Sequence, residues 1–188
     1  MRADNRDFYA DGAFQVEKAR QAYFDMMERF HYPVSGKLRK EMWATDFQLG
    51  DFTHVGMGGI FWVNNEGKGY FGHEIFLLPG QMIVEHGHEA CDSCKAKHES
   101  WHVRHGSIYT FGEEGKPVDT MPVTIPESQQ KHVTVRRCEC VPEGEIAELN
   151  RITAKHFMIA GPEGAIVTEY GTFHDNEGLR FTNPGVKF

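Results

Sequence analysis

Residues 80–106, GQMIVEHGHEACDSCKAKHESWHVRHG, decide how this chain is read. His86 and His88 stand two apart. On a β-strand, residues i and i+2 point to one face, so both imidazoles converge on one point. Glu99 begins the next strand-like run and reaches that same point from a neighbouring antiparallel strand. His156, in TAKHFMIAG, supplies a fourth ligand from a third strand-like run. Three neutral imidazole nitrogens and one carboxylate oxygen form a borderline-hard donor set. It suits Mn²⁺, Fe²⁺, Co²⁺, Ni²⁺ or Zn²⁺ and leaves open positions for water or a substrate. His73, His98, His102 and His105 fall outside this set. His102 has the opposite strand parity to Glu99, and His105 lies near the end of its run.

Around this centre the texture is that of short strands. Apolar or alternating runs occur at 58–63, 69–78, 81–86, 100–111, 131–141, 154–161 and 165–173. They are separated by the turn signals NNEGKG, LPGQ, GEEGKP, VPEGE and GPEG. Many short strands with no interleaved helices predict an all-β antiparallel sandwich or barrel. Runs 100–111 and 131–141 alternate well, so each is expected to bury one face, and PESQQ (126–130) reads as a loop. Before the strands, Val16, Ala19, Tyr23, Met26, Met27 and Phe30 form a helical stripe over 13–30, stopped by Pro33 and Gly36. The expected organisation is an N-terminal helical segment, 1–45, followed by a β-domain, 46–188.

Composition narrows the function. The 188 residues include 20 Lys+Arg and 27 Asp+Glu, a formal charge of −7. That balance argues against nucleic acid and against anionic lipid as partners, since both require excess positive charge. No apolar run approaches the ~18–20 residues that span a bilayer. MRADNRDFYADG lacks the apolar core of a secretory signal, so a cytoplasmic protein is expected. In that compartment Cys91, Cys94, Cys138 and Cys140 read as free surface-loop thiols. A structural zinc held by the two pairs is the alternative. Arg136 and Arg137 are expected on a strand edge.

The spacing of the central motif resembles the first motif of the cupin superfamily: Gly80, five residues, His86-x-His88, Glu99, six residues, Gly106. Ten residues separate His88 from Glu99 where three or four are usual, so EACDSCKAKH reads as a lengthened hairpin loop. Pro142 and Gly144 precede His156 as in the second motif, over a longer interval. More narrowly, EIFLLPGQ (74–81), EHGH (85–88), KHE (97–99), AKHF (154–157), GPEGAIVTEY (161–170) and FTNPG (181–185) follow the order of blocks in cupin-type D-lyxose isomerases. FQLGDF (47–52) is similar to that family's lead-in. The likeness covers residues 45–188. It implies a cupin double-stranded β-helix (jelly-roll) barrel, a divalent metal, typically Mn²⁺, a homodimer, and aldose–ketose isomerisation of D-lyxose or D-mannose.

By the same resemblance the metal ligands are His86, His88, Glu99 and His156. Lys97 matches the family's lysine and Glu169, in IVTEY, its late glutamate. Val167, Glu169 and Gly171 share one strand face. Isomerisation moves a proton between C1 and C2 through an enediol. Glu169 is the expected base, with a pKa raised by an apolar wall, and Lys97 the group that stabilises the enediolate or relays a proton. His174 is a further candidate to touch the sugar. The family often carries an acid before Phe-Thr-x-Pro, where this chain has Leu179 and Arg180. Arg180 is read either as a surface ion pair or as a group that binds sugar hydroxyls. An iron cupin dioxygenase uses the same four ligands, and a non-catalytic metal- or sugar-binding cupin is the third reading.

Overall fold

The computed structural model describes residues 4–188, apart from the side chain of Lys116. The first three residues of the N-terminal segment lie outside the described residues. In chain order the elements are β1 (Tyr9–Ala10), β2 (Ala13–Phe14), α1 (Val16–Arg29), α2 (Gly36–Glu41), β3 (Trp43–Thr45), β4 (Met57–Asn65), β5 (Tyr70–Leu77), β6 (Met82–His88), β7 (Glu99–Pro117), β8 (Arg137–Pro142), β9 (Ile146–Glu148), β10 (His156–Thr172) and β11 (Leu179–Phe181). No helix among the described residues is long and apolar enough to cross a membrane.

Two long strands organise the rest. The C-terminal half of β10 lies between β5 and the N-terminal half of β7. The N-terminal half of β10 pairs with β6 and with the C-terminal half of β7. One layer therefore runs β3-β4-β5-β10-β7-β9 and the other β11-β6-β10-β7-β8, with β7 and β10 passing from one to the other. This is the all-β antiparallel roll expected from the sequence. Both strands bend where their register shifts, between Ala160 and Ala165 on β10. Gly106 and Gly164 take positive φ there, +76° and +91°, a region that L side chains rarely adopt.

The core between the layers contains Ile75, Leu77, Ile83, Val103, Ile108, Met158 and Val167. Outside the first layer, α1 buries Ala19, Tyr23, Met26 and Met27 against Phe52, Ile60, Phe76 and Ile166. Burying each large side chain contributes ~1.5–3 kcal/mol. Tyr23 also donates to Gln81 Oε1 at 2.7 Å. Gly58 leaves room for its ring, since a Cβ there would lie 2.8 Å from Tyr23. Gly36, read as a helix stop, instead opens α2 behind Ser35, whose hydroxyl accepts from the Leu38 amide.

Three local expectations are corrected. GPEG is not a reversal: 154–161 and 165–173 merge into β10, with the irregularity absorbed at Gly164. GEEGKP likewise continues β7 rather than turning. Of the run 131–141, only Arg137 onward is strand. The segment before it satisfies its amides on a buried carboxylate: Thr134 N and Val135 N donate to Glu85 Oε2 at 2.7 and 3.0 Å. The thiol reading is also corrected for one pair, because Cys91 and Cys94 form a disulfide, while Cys138 and Cys140 are free.

Candidate active site

Three strands deliver the cluster to the inside of the roll. β6 carries His86 and His88, β7 opens with Glu99, and β10 opens with His156 directly opposite His86. The ligand atoms of His86, His88 and His156 lie within 4.8 Å of one another. Glu99 joins them from the side, with Oε1 3.0 Å from His88 Nε2 and Oε2 3.1 Å from His156 Nε2. All but His86 are buried, and His86 is nearly so.

This arrangement fits a divalent cation. The Nδ1 atoms of His86 and His156 each lie 2.9 Å from a backbone carbonyl, Val84 O and Ala154 O. A carbonyl only accepts, so each Nδ1 carries the proton and each Nε2 presents a lone pair to the cluster. Among the described residues no hydrogen bond of acceptable angle reaches His88 Nε2 or either Glu99 oxygen, all of which are buried, although Lys97 Nζ forms an ion pair with Oε1 at 2.6 Å. Buried polar atoms left in this state are costly unless something binds them.

Electrostatics agree with that reading at His86 and His88. Burial, then the neighbouring imidazoles, hold His86 well below the usual histidine range, and burial lowers His88. Burial alone would raise Glu99, but the Lys97 charge and the two imidazoles outweigh it and keep the carboxyl well below its ordinary value. Burial opposes protonation of His156 too, yet its contact with Glu99 brings it above the usual value.

The second cluster adjoins the first. Lys97 Nζ lies 2.6 Å from Glu99 Oε1, 3.9 Å from Glu169 Oε1 and 3.2 Å from His174 Nδ1. It also sits 4.1 Å from the centre of the Phe71 ring, a cation–π contact. Glu169 is held by both flanking strands: Trp101 Nε1 donates to Oε1 at 3.1 Å, and His73 Nδ1 lies 2.9 Å from Oε2. The expected upward shift of Glu169 is corrected. Burial does push it up, but the Lys97 charge and the His73 hydrogen bond leave it below the ordinary carboxylate value. Burial and Lys97 take His174 down to about 4, while Asn176 Oδ1, 2.8 Å away, holds its other nitrogen. The remaining cavity wall is apolar, including Trp43, Phe47, Phe61 and Phe181.

No family profile matches the chain. Among individual proteins, it is 31% identical over 172 residues to the D-lyxose ketol-isomerase of Thermofilum sp., covering 92% of this chain and 93% of that protein. The chain belongs to the D-lyxose ketol-isomerase family. It is thus an aldose–ketose isomerase by family. A second relative in the D-lyxose ketol-isomerase group, the D-lyxose/D-mannose isomerase of Thermosediminibacter oceani, is 27% identical over 92% of this chain and 93% of its own length. Among solved structures, L-ribose isomerase of Cellulomonas parahominis shares the fold with a TM-score of 0.68 at 14% identity, over 90% of this chain and 91% of that one.

Of the residues picked out in this D-lyxose ketol-isomerase family member from sequence, His86, His88, His156, Lys97, Glu169 and His174 line one cavity, and Glu99 lies against His88, His156 and Lys97 at its wall. Arg180 does not. On β11, Leu179 and Phe181 line the cavity, and Arg180, of opposite parity, points out. Its Nε lies 3.2 Å from Glu89 Oε2 at the surface. The cysteine pairs do not come together as a cation site: among the described residues the histidine triad is the cluster with metal-ligand geometry. Sequence reasoning passed over His73 and Trp101. Each is the cross-strand partner of Glu169, on β5 and β7 respectively. Their parity was readable, but the register that sets them against Glu169 was not.

Proposed function

We propose that the chain is a metal-dependent ketol-isomerase that interconverts D-lyxose and D-xylulose, or D-mannose and D-fructose, through an enediol. The observation that carries this is the placement of an ionised carboxylate, Glu169, and a buried ammonium, Lys97, beside a cluster of unprotonated imidazole nitrogens and Glu99. A divalent ion held by His86, His88, Glu99 and His156 would supply Lewis-acid polarisation of the sugar carbonyl. The chain's own groups account for the proton transfer. Glu169 takes the proton from C2 of the open-chain aldose. The C–H pair becomes the C1=C2 double bond, and the former carbonyl oxygen becomes an alkoxide of the enediol. Lys97 lies where its charge offsets that developing negative oxygen. The hydroxyl proton on O2 passes to the O1 alkoxide, with Lys97 beside it as the relay, and Glu169 returns its proton to C1 as the C2 oxygen becomes the ketone. The apolar walls exclude water and strengthen each of these charge contacts.

Manganese as the resident ion suits the three-nitrogen, one-oxygen donor set. The same proposal includes a cytoplasmic homodimer. The exposed Tyr70 and Tyr170, on the outer face of β5 and β10, offer apolar surface for such an interface. Incubation of the Mn²⁺-loaded protein with each aldose in D₂O tests the proposal. Ketose formation with deuterium from solvent in the product is the expected result. Oxygen uptake would instead mark a dioxygenase, and sugar binding without turnover a binding protein.

A further inference from the structure

His73 has no role in the metal cluster, yet it is one of the most tightly confined side chains in the molecule. Its ring packs nearly parallel to Phe61, 4.3 Å away at 14°, and to Trp43, 5.5 Å away at 14°, two rings that also touch each other at 6.5 Å. Nδ1 lies 2.9 Å from Glu169 Oε2. Nε2 is buried and has no hydrogen-bond partner among the described residues. It faces Gly59 so closely that a Cβ there would lie 2.4 Å from it. Two flat neighbours and a bare glycine therefore fix the plane and position of the ring.

This confinement also fixes the tautomer. A proton on Nε2 would be a buried donor with no acceptor, whereas a proton on Nδ1 has the Glu169 carboxylate in front of it. Trp101 Nε1 is a donor only and occupies the other oxygen at 3.1 Å. Each Glu169 oxygen thus has one fixed N–H on it. These come from the two strands on either side of β10, in direct register with Glu169. Neither donor accepts a proton back through that contact, so the lone pairs that remain open to a proton are those not covered by His73 and Trp101.

We infer that His73 is a positioning residue for isomerisation: locked by Trp43, Phe61 and Gly59 as its Nδ1–H form, it aims the Glu169 carboxylate at the reacting carbons. The inference rests on the reading of Glu169 as the base. It goes further by naming the group that orients that base and the packing that holds the group.

The test compares His73→Phe, His73→Asn and Glu169→Gln as Mn²⁺-loaded proteins. Phenylalanine keeps a flat ring against Trp43 and Phe61 but removes the donor. Asparagine places its Nδ2 near the position of the histidine Nδ1. His73→Phe is expected to lower kcat roughly 10–100-fold with KM and metal content little changed. His73→Asn should recover most of that loss, which a packing role alone would not produce. In the unmodified protein, ¹⁵N NMR of the imidazole should show a protonated Nδ1 and a bare Nε2. Full activity in His73→Phe, no recovery in His73→Asn, or a proton on Nε2 each overturns the inference. If Glu169→Gln is inactive while His73→Phe is fully active, the base reading survives and the positioning role falls. If Glu169→Gln is fully active, both fall. Should His73→Phe fail to fold, the asparagine variant and the NMR spectrum decide alone, with a full-KM, low-kcat asparagine variant and an Nε2–H spectrum counting against it.

Discussion

Gly106 and Gly164 meet back to back where β7 and β10 bend together: a Cβ on Gly106 would lie 2.1 Å from the carbonyl oxygen of Gly164. That contact is with backbone, so no rotamer change relieves it. Gly106→Ala combines this clash with a positive φ of +76° and is expected to cost upward of ~3 kcal/mol, at the severe end of single substitutions. Gly144 provides the control. Its φ is +87° but nothing lies within 4 Å of a Cβ there, so Gly144→Ala should cost only the ~1–2 kcal/mol of a left-handed alanine. Urea unfolding of both variants checks this. Equal losses would mean that the close approach at the bend contributes nothing.

Glu169→Gln removes the proposed base while keeping the size and most contacts of the side chain. One general base contributes ~10²–10⁴-fold in rate, so kcat should fall by that much with bound metal unchanged. Measurement of kcat alongside metal content by atomic absorption separates the roles. Joint loss of metal and activity would make Glu169 a ligand or a structural group.

The proximity of the candidate ligands was legible in the sequence where the signal is local parity: His86 and His88 share a face under any strand assignment. Glu99 and His156 followed from motif order, which survives insertions such as 89–98. What stayed hidden depends on long-range register. His73 becomes significant only because β5 sets it opposite Glu169, and no short window of sequence contains that pairing. GPEG misled for a related reason. Its glycine does take a positive φ, but in a strand that bends between layers instead of one that reverses. The run 131–136 has strand-like alternation, yet the buried Glu85 carboxylate captures its amides before a neighbouring strand does.

Arg180 and Phe181 are neighbours in sequence with opposite expected phenotypes. Arg180 is exposed and paired only with Glu89 and nearby carbonyls, and an exposed ion pair contributes ~0–1 kcal/mol. Arg180→Ala should leave kcat and KM unchanged and shift stability by no more than that. Phe181 lines the cavity and its ring centre is 5.9 Å from that of His86. Phe181→Ala opens the wall beside a ligand and is expected to raise KM. Steady-state kinetics with D-lyxose decides, and a KM increase confined to Arg180→Ala would reverse the assignment of faces on β11.

Stability of the chelator-treated protein should depend on pH through its buried histidines. His86 and His88 are held below the usual value, and His174 is taken down to about 4. In the unfolded chain each imidazole takes up a proton near pH 6.5, whereas in the folded state it resists. Proton uptake therefore favours unfolding below pH 6.5, and stability declines from there toward pH 4. His156 acts in the opposite sense: Glu99 raises it, so its contribution is fully present below about pH 6.5 and is lost as pH rises through its folded value. Glu99 and Glu169 are lowered in the folded state. Their contribution is present above about pH 4.3 and disappears as pH falls through their folded values. The urea midpoint should decline on the alkaline side as His156 loses its proton, and fall steadily below pH 6.5 as His86, His88 and His174 resist protonation. Added Mn²⁺ at hundredfold excess over its dissociation constant should stabilise by about 2.7 kcal/mol near pH 7.5. That increment should shrink toward pH 5, where protons compete for the imidazole nitrogens. An Mn²⁺ increment that does not change with pH would place the ion away from His86, His88 and His156.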